Sequence, residues 1–185
     1  PVTDIEKMTN DMLASAYDTT EIILPDTVLR LHDSAFYKFS KLESVNMPSH
    51  LENIGFLAFS NTKISSIDIP DSVTSIGSDA FMFCTSLQSA DLPAGLSHIG
   101  SAPFGGCFSL ETITIDGSPD AACDACLTID GILFSADGST LLAYPGALGG
   151  VYTIPDGTQI IGQEAFMGTS LEEIIIPDSV TWIGN

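Results

Sequence analysis

Apolar residues in this chain follow two short patterns that take turns. Segments such as "LESVNMP" (42–48) and "ISSIDIP" (64–70) alternate apolar and polar positions and end on proline, whereas segments such as "VTSIGSDAF" (73–81) place an Ile-Gly pair a few residues before a phenylalanine. Alternation with period two is a strand signal, so in "LESVNMP" Leu42, Val45 and Met47 face inward while Ser44 and Asn46 face outward. The prolines at 25, 48, 70 and 93 are spaced 23, 22 and 23 apart, and Pro155 to Pro177 is again 22. One unit of this length cannot bury its own apolar positions, so the units must stack side by side.

Stacking turns equivalent positions into ladders. The predicted rows are Val45, Ile67, Ala90, Ile113 and Ile174; Met47, Ile69, Leu92, Ile115 and Ile176; and Leu31, Ile54, Ile76, Ile99, Ile161 and Ile183. Phe36, Phe59, Phe81, Phe104 and Phe166 form an aromatic spine. Proline lacks an N–H and ends each strand. Gly55, Gly77, Gly100, Gly162 and Gly184 suit a tight turn with positive φ. His32 takes that place in the first unit, which makes it either a strained left-handed residue or the mark of a different edge unit.

The recurring pattern "IPDSVTSIGSDAFMFCTSLQSADLP" resembles the BspA-like, or Treponema pallidum type, leucine-rich repeats of secreted and surface proteins from host-associated bacteria and some protists. The resemblance covers roughly residues 21–185. It implies a leucine-rich-repeat solenoid, a right-handed arc of mostly β and loop structure with a parallel β-sheet on its concave face. Pro103, in place of the alanine before the phenylalanine, is a departure, as are two units one residue short after Phe.

The order is interrupted once. Where the proline after Pro93 should stand there is Asp116, and the pattern resumes only at Pro155. Within this stretch "GILFSADGSTLLAY" reads as a β-hairpin turning at Asp137-Gly138. The resemblance implies that the hairpin continues the solenoid, and so short an insert makes a poor independent core. At the amino end "TDIEKMTNDMLASAY" spaces Ile5, Met8, Met12 and Ala16 near helical period, with Thr3 or Asp4 as cap. The expected organisation is therefore a helical cap over 1–20, repeats over 21–116, the hairpin island over 117–151, and repeats over 152–185 with the last one truncated. The opening Pro1 and the final "VTWIGN" suggest a piece of a longer chain, so a missing signal sequence carries no information.

Charge narrows the partners. The formal net charge is −19, and all five basic residues lie at or before Lys63, leaving 11 Asp and 4 Glu with no Lys or Arg over 64–185. Phosphate-backbone and anionic-membrane binding have little to work with, so nucleic acid is not an expected partner. A hydrophobic content of 44 % argues for a packed fold, and no run is long enough to span a bilayer.

Candidate chemistry is sparse. Cys84 and Cys107 share one repeat position, three residues after a phenylalanine, and read as small buried packing residues rather than a disulfide. Cys123 and Cys126 in the insert stay open between a loop disulfide, half of a metal site and free thiols, with the disulfide preferred in an extracellular setting. His32, His50 and His98 occupy different repeat positions and form no ligand column. Asp116, Asp120, Asp124, Asp130 and Asp137 crowd the insert but do not fit an alternating calcium loop, and they read as a solvated acidic surface. No nucleophile, phosphate-loop or zinc-protease motif occurs, so no enzyme activity, cofactor or metal is expected.

What remains is the outward face of the strands. It presents Ser44 and Asn46, Ser66 and Asp68, Ser89 and Asp91, Thr112 and Thr114, and then Glu173 and Ile175. The expected function is a non-catalytic module, extracellular or at a bacterial cell surface, that binds a protein or glycan through this face. The alternative is a structural spacer that displays other domains of a larger surface protein.

Overall fold

The computed structural model describes Asp4–Ile5 and residues 17–185. Each coil of the chain contributes one strand to each of two rows. In the first row, two-residue strands β1 (Asp4–Ile5), β3 (Arg30–Leu31), β5 (Asn53–Ile54), β7 (Ser75–Ile76) and β9 (His98–Ile99) form a five-stranded sheet. In the second, β2 (Glu21–Ile23) pairs with β4 (Ser44–Asn46), and β6 (Ile67–Asp68), β8 (Ser89–Leu92) and β10 (Thr112–Ile115) form a three-stranded sheet. Every pairing in these rows is parallel. This is the expected leucine-rich-repeat solenoid, with the second row on its concave face.

The registers follow the predicted ladders. Ile67 lies opposite Ala90, Ala90 opposite Ile113, Leu92 opposite Ile115, and Leu31, Ile54, Ile76 and Ile99 pair in turn. Prolines follow the strands as expected, and each carbonyl then accepts the N–H three residues on, as in Val73 N–H to Pro70 O at 2.9 Å. Phe36, Phe59, Phe81 and Phe104 stack with ring centres 5.3, 5.5 and 5.4 Å apart. Phe166 does not join them. It packs against Tyr144 and Tyr152, so the spine breaks at the insert and a second aromatic group takes over.

The turn that carries each phenylalanine uses left-handed backbone twice. Two residues before it stand Ser34, Leu57, Asp79, Ala102 and Glu164, and two residues after it Lys38, Asn61, Phe83, Gly106 and Gly168, all with positive φ. The N–H groups of Ser34, Lys38, Leu57, Asn61, Asp79, Phe83, Gly106 and Glu164 leave the unit. Leu57, Phe59 and Asn61 donate to the carbonyls of Ser78, Ala80 and Met82 at 3.1, 2.8 and 2.8 Å, whereas Ala58 and Ser60 donate within their own unit.

The Ile-Gly glycines do not have positive φ, contrary to expectation. They are needed for space. A Cβ on Gly77 would lie 2.5 Å from Phe56 N, and one on Gly100 2.2 Å from Ser78 N, because each glycine N–H donates to the preceding unit, as Gly77 does to Ile54 O at 2.8 Å. His32 likewise lacks positive φ, which removes the strained alternative for that residue.

The insert is a meander woven into the stack. Strand β11 (Cys126–Ile129) turns at Asp130-Gly131 into β12 (Ile132–Ser135), which turns at the predicted Asp137-Gly138 into β13 (Thr140–Ala143). Strand β13 then pairs in parallel with β15 (Ile160–Ile161), which pairs with β17 (Trp182–Ile183). The hairpin thus supplies the strand that a regular unit would have supplied. Leu142 stands where other units have glycine; it falls in a register shift, since Phe134 faces Leu141 while Leu133 faces Ala143. On the concave side β14 (Gly149–Thr153) pairs with β16 (Ser170–Ile175), with a shift between Gly150 and Val151 that absorbs one extra residue.

Strand β12 is buried on both faces. Leu133 belongs to the core of the first units, while Ile132 and Phe134 belong to a second core with Leu141, Tyr144, Ile154 and Ile161. The capping helix expected over 1–20 needs correction. Asp4–Ile5 extend the first row as a strand paired with Arg30–Leu31, which satisfies the open edge of β3 in a way that a helix laid across it could not. The other positions of that predicted helix, through Ala16, lie outside the described residues, and no helix occurs among the described residues.

Two predictions follow from this geometry. Gly77→Ala must push two backbones apart and is expected to cost about 2–3 kcal/mol, lowering Tm by roughly 5–10 °C for a chain of this length. Gly95→Ala, whose Cβ would meet nothing nearer than 3.5 Å, is expected to leave Tm unchanged or slightly raised; thermal melts showing equal loss in both would contradict the steric account. At the hairpin, Asp137 Oδ1 accepts from Ser135 Oγ, Ser139 Oγ and Ser139 N–H at 2.6, 2.8 and 3.0 Å. These bonds hold its carboxyl at about 2, below its ordinary 3.8. A depressed acid stabilises the fold above its unfolded value and loses that effect as pH falls through the folded one. The Tm deficit of Asp137→Ala should therefore be full at pH 7 and shrink between about pH 4 and pH 2.

Candidate functional site

The outward strand residues named from the sequence fall into two groups. Ser44, Asn46, Ser66, Asp68, Ser89, Asp91, Glu173 and Ile175 are exposed; Thr112 and Thr114 are half-buried. Register puts Asp68, Asp91 and Thr114 side by side on three adjacent strands, with Ser89 beside Thr112. Glu173 and Ile175 sit apart, opposite Val151 and Thr153 in the β14–β16 pair. The insert lies between the groups, since Ile113 donates to Gly131 O at 3.0 Å and a Cβ on Gly131 would touch Thr112 Oγ1.

Several of these side chains hold the protein together. Asn46 accepts Leu24 N–H at 2.6 Å and donates to Leu24 O at 3.1 Å. Asp91 Oδ1 accepts from Thr114 Oγ1 at 2.6 Å and from Gly117 N–H at 2.9 Å. That carboxylate ties the last regular strand to the start of the insert. Ser44, Ser66, Asp68, Ser89, Thr112, Glu173 and Ile175 are left as the outward residues without such a side-chain bond among the described residues.

The period-two reading missed Val151 and Thr153, which are exposed on β14, and Ile23 on β2, which is 78 % exposed. The signal was present in "VYTIP", where alternation counted back from Pro155 sets Thr153 and Val151 outward; the extra residue at the register shift, Glu172, lies on β16. A recess between Tyr17, Lys38, Lys63 and Phe83 was also missed, because its lining comes from turns of successive units rather than from strands.

The insert aspartates do not converge. Asp116 Oδ1 accepts Ala94 N–H at 3.1 Å, Asp120 Oδ1 accepts Asp130 N–H at 2.8 Å, and Asp137 closes its own turn. Each works as a local acceptor, and among the described residues no three His, Cys, Asp or Glu gather as a metal site. Cys84 and Cys107 are buried free thiols that donate to the carbonyls of Phe59 and Phe81 at 3.2 and 3.1 Å. Burial pushes the Cys84 thiol up to about 12, which removes it from thiolate chemistry. Cys123 and Cys126 place their sulfurs 2.9 Å apart, and burial raises the Cys126 thiol further.

The BspA type leucine-rich repeat region model matches residues 6–127 and 151–185 in six copies. Among solved structures, a leucine-rich repeat protein from Eubacterium ventriosum is 23 % identical with a TM-score of 0.80, covering 91 % of this chain and 44 % of its own. A leucine rich cell surface protein from Faecalibacterium prausnitzii is 27 % identical with a TM-score of 0.57, covering 90 % and 57 %. A leucine-rich repeat protein from Bacteroides ovatus is 29 % identical with a TM-score of 0.57, covering 89 % and 45 %. The chain thus spans about half the length of these relatives. No curated protein matches it. With six repeat copies over most of its length, the chain belongs to the BspA-type leucine-rich repeat family.

Proposed function

We propose that the chain is a non-catalytic recognition module of a bacterial surface or secreted protein, which binds an extracellular protein or glycan through the concave strand face. The observation that carries this reading is the row of exposed hydroxyl and carboxylate side chains at Ser66, Asp68 and Ser89, set on strands whose other faces are locked in the core. A surface held this rigidly loses little freedom on binding, so modest contacts can yield specific association. The Faecalibacterium relative, described as a cell surface protein, supports the location. Among the described residues no helix is long and apolar enough to cross a membrane.

A spacer role is the second reading. It draws on Asn46, Asp91 and Thr114, whose bonds serve the solenoid and leave less of the face for a partner.

The test is binding of the purified chain to an array of extracellular matrix proteins and glycans at physiological salt. Asp68→Lys with Glu173→Lys is the control, because neither carboxylate makes a bond the fold needs, unlike Asp91. Saturable binding weakened about tenfold or more in the control supports the strand-face reading. Absence of any binding, or binding indifferent to the substitutions, overturns it and leaves the spacer.

A further inference from the structure

The basic residues are as informative by position as by number. Lys38, Lys41 and Lys63 come from two consecutive units and lie on one flank of the solenoid, between the phenylalanine turns and the starts of the concave strands. Two recesses there share Ser40 and Lys63, and the larger is an open depression of about 630 Å³. That volume is in the range of small-ligand sites.

The lysines are not equivalent. Lys41 Nζ is paired with Asp18 Oδ1 at 2.6 Å. Lys63 Nζ donates to the neutral Thr85 Oγ1 at 2.9 Å, and Lys38 Nζ rests 4.9 Å from the centre of the Tyr37 ring. Among the described residues neither Lys38 nor Lys63 has a carboxylate partner, in a protein carrying 24 Asp and Glu. Both border the larger recess, whose wall also carries the rings of Tyr17 and Phe83 and the amide of Asn61.

Two uncompensated ammonium groups, aromatic faces and short hydroxyl or amide side chains around one recess are the complement of a sugar ring bearing an acid group. The rings take the apolar C–H face of the sugar, the hydroxyls and amide take its hydroxyls, and the lysines take the carboxylate. We infer that this flank recess binds a terminal sugar carrying a carboxylate. It is a second site, off the strand face, and it does not depend on the strand-face reading.

The net charge of −19 does not forbid this. Units are about 4.8 Å apart along the stack, and the Debye length is about 8 Å at physiological salt, so carboxylates several units away are screened. Nearby, Asp18 is neutralised by Lys41, while Glu43 borders the adjoining recess. The same surroundings set the size of the ligand. A long polyanion or an acidic peptide would run out of the recess onto Glu43 and the acidic units beyond, whereas one or two sugar residues would not.

The experiment is calorimetric titration of the purified chain with 3′-sialyllactose and with a glucuronic-acid disaccharide. Lactose, sodium sulfate, a heparin dodecasaccharide and penta-glutamate serve as comparison probes. The expected result is millimolar or tighter binding of the two carboxylated sugars and about tenfold weaker binding of lactose and sulfate. Lys38→Gln with Lys63→Gln should weaken the sugars by about tenfold, and raising salt from about 50 to about 500 mM should weaken them too. Both substitutions are at exposed positions, and a melt at unchanged Tm confirms that the fold is intact. Asp68→Lys should leave this binding unaltered, which separates the two sites. Equal binding of lactose or of sulfate, indifference to the lysine substitutions, or tighter binding of heparin or penta-glutamate would each overturn the proposal.

Discussion

Everything in this fold depends on successive units coming into backbone contact at one point. At Gly55, Gly77, Gly100 and Gly184 the chain lies so near the preceding unit that a single added carbon would fall 2.2–2.7 Å from it. The contact closes a hydrogen bond from each glycine N–H to the Leu or Ile carbonyl before it, at 2.8–2.9 Å. It also sets the spacing for the rest of the coil. Rings stacked at 5.3–5.5 Å and fully buried side chains such as Leu31, Ile54 and Ile76 require the units to be this close, and a larger separation at the glycine would open all of them together.

The opposite turn solves the same problem at a cost. Eight non-glycine residues there, among them Leu57, Asp79 and Phe83, adopt the left-handed region. At about 1–2 kcal/mol each this comes to roughly 10 kcal/mol, the size of a whole domain's net stability. The arrangement survives because, at Phe36, Phe59 and Phe81, the left-handed residues and the phenylalanine between them donate across to the next unit, and burying those N–H groups without acceptors would cost about 1–3 kcal/mol apiece. The insert obeys the same rule. Its β13 offers Leu141 O to Gly162 N–H at 2.8 Å, as a regular unit would, so parallel pairing resumes after the register shift inside the hairpin. What changes is the core, which divides around β12 into two apolar clusters.

How much of this could be read from the sequence depended on whether a feature had its own period. Proline stops, the Asp137-Gly138 turn and the ladders as far as Ile99 and Ile115 repeat or carry a standard signal, and they stand where the sequence placed them; beyond the insert Ile174 lies opposite Tyr152 in a separate sheet, and Ile176 and Ile183 are exposed. The glycine row was legible in position but not in cause, because a glycine needed for φ and a glycine needed for space look alike in one chain. Left-handed positions occupied by Ser, Leu, Asp, Ala and Glu share no side-chain chemistry and left no trace. Asp130-Gly131, with φ of 52 and 75, is a hairpin signal as plain as the one at 137–138; it was hidden by a strand, "CLTI", whose first residue is Cys126 of the Cys123–Cys126 pair. At the site, outward alternation identified exposed residues but could not tell that Asn46 and Asp91 were already engaged. The flank recess joins residues from several units, and no linear pattern marks it.

The same geometry explains why the two candidate surfaces differ. On the strand face, register places like residues beside like, so Asp68 and Asp91 become neighbours whether or not a partner needs them there. A repeat therefore amplifies any charge it carries, and an acidic face is the default outcome of acidic units. The flank departs from that rule because equivalent positions differ: Lys38, Asn61 and Phe83 follow one another in the same left-handed place. Variation at a repeated position is what lets a periodic scaffold build a local, non-periodic site. In this chain that variation gathers cation, amide and ring around one recess, while the strand rows beside it keep their repeating polarity.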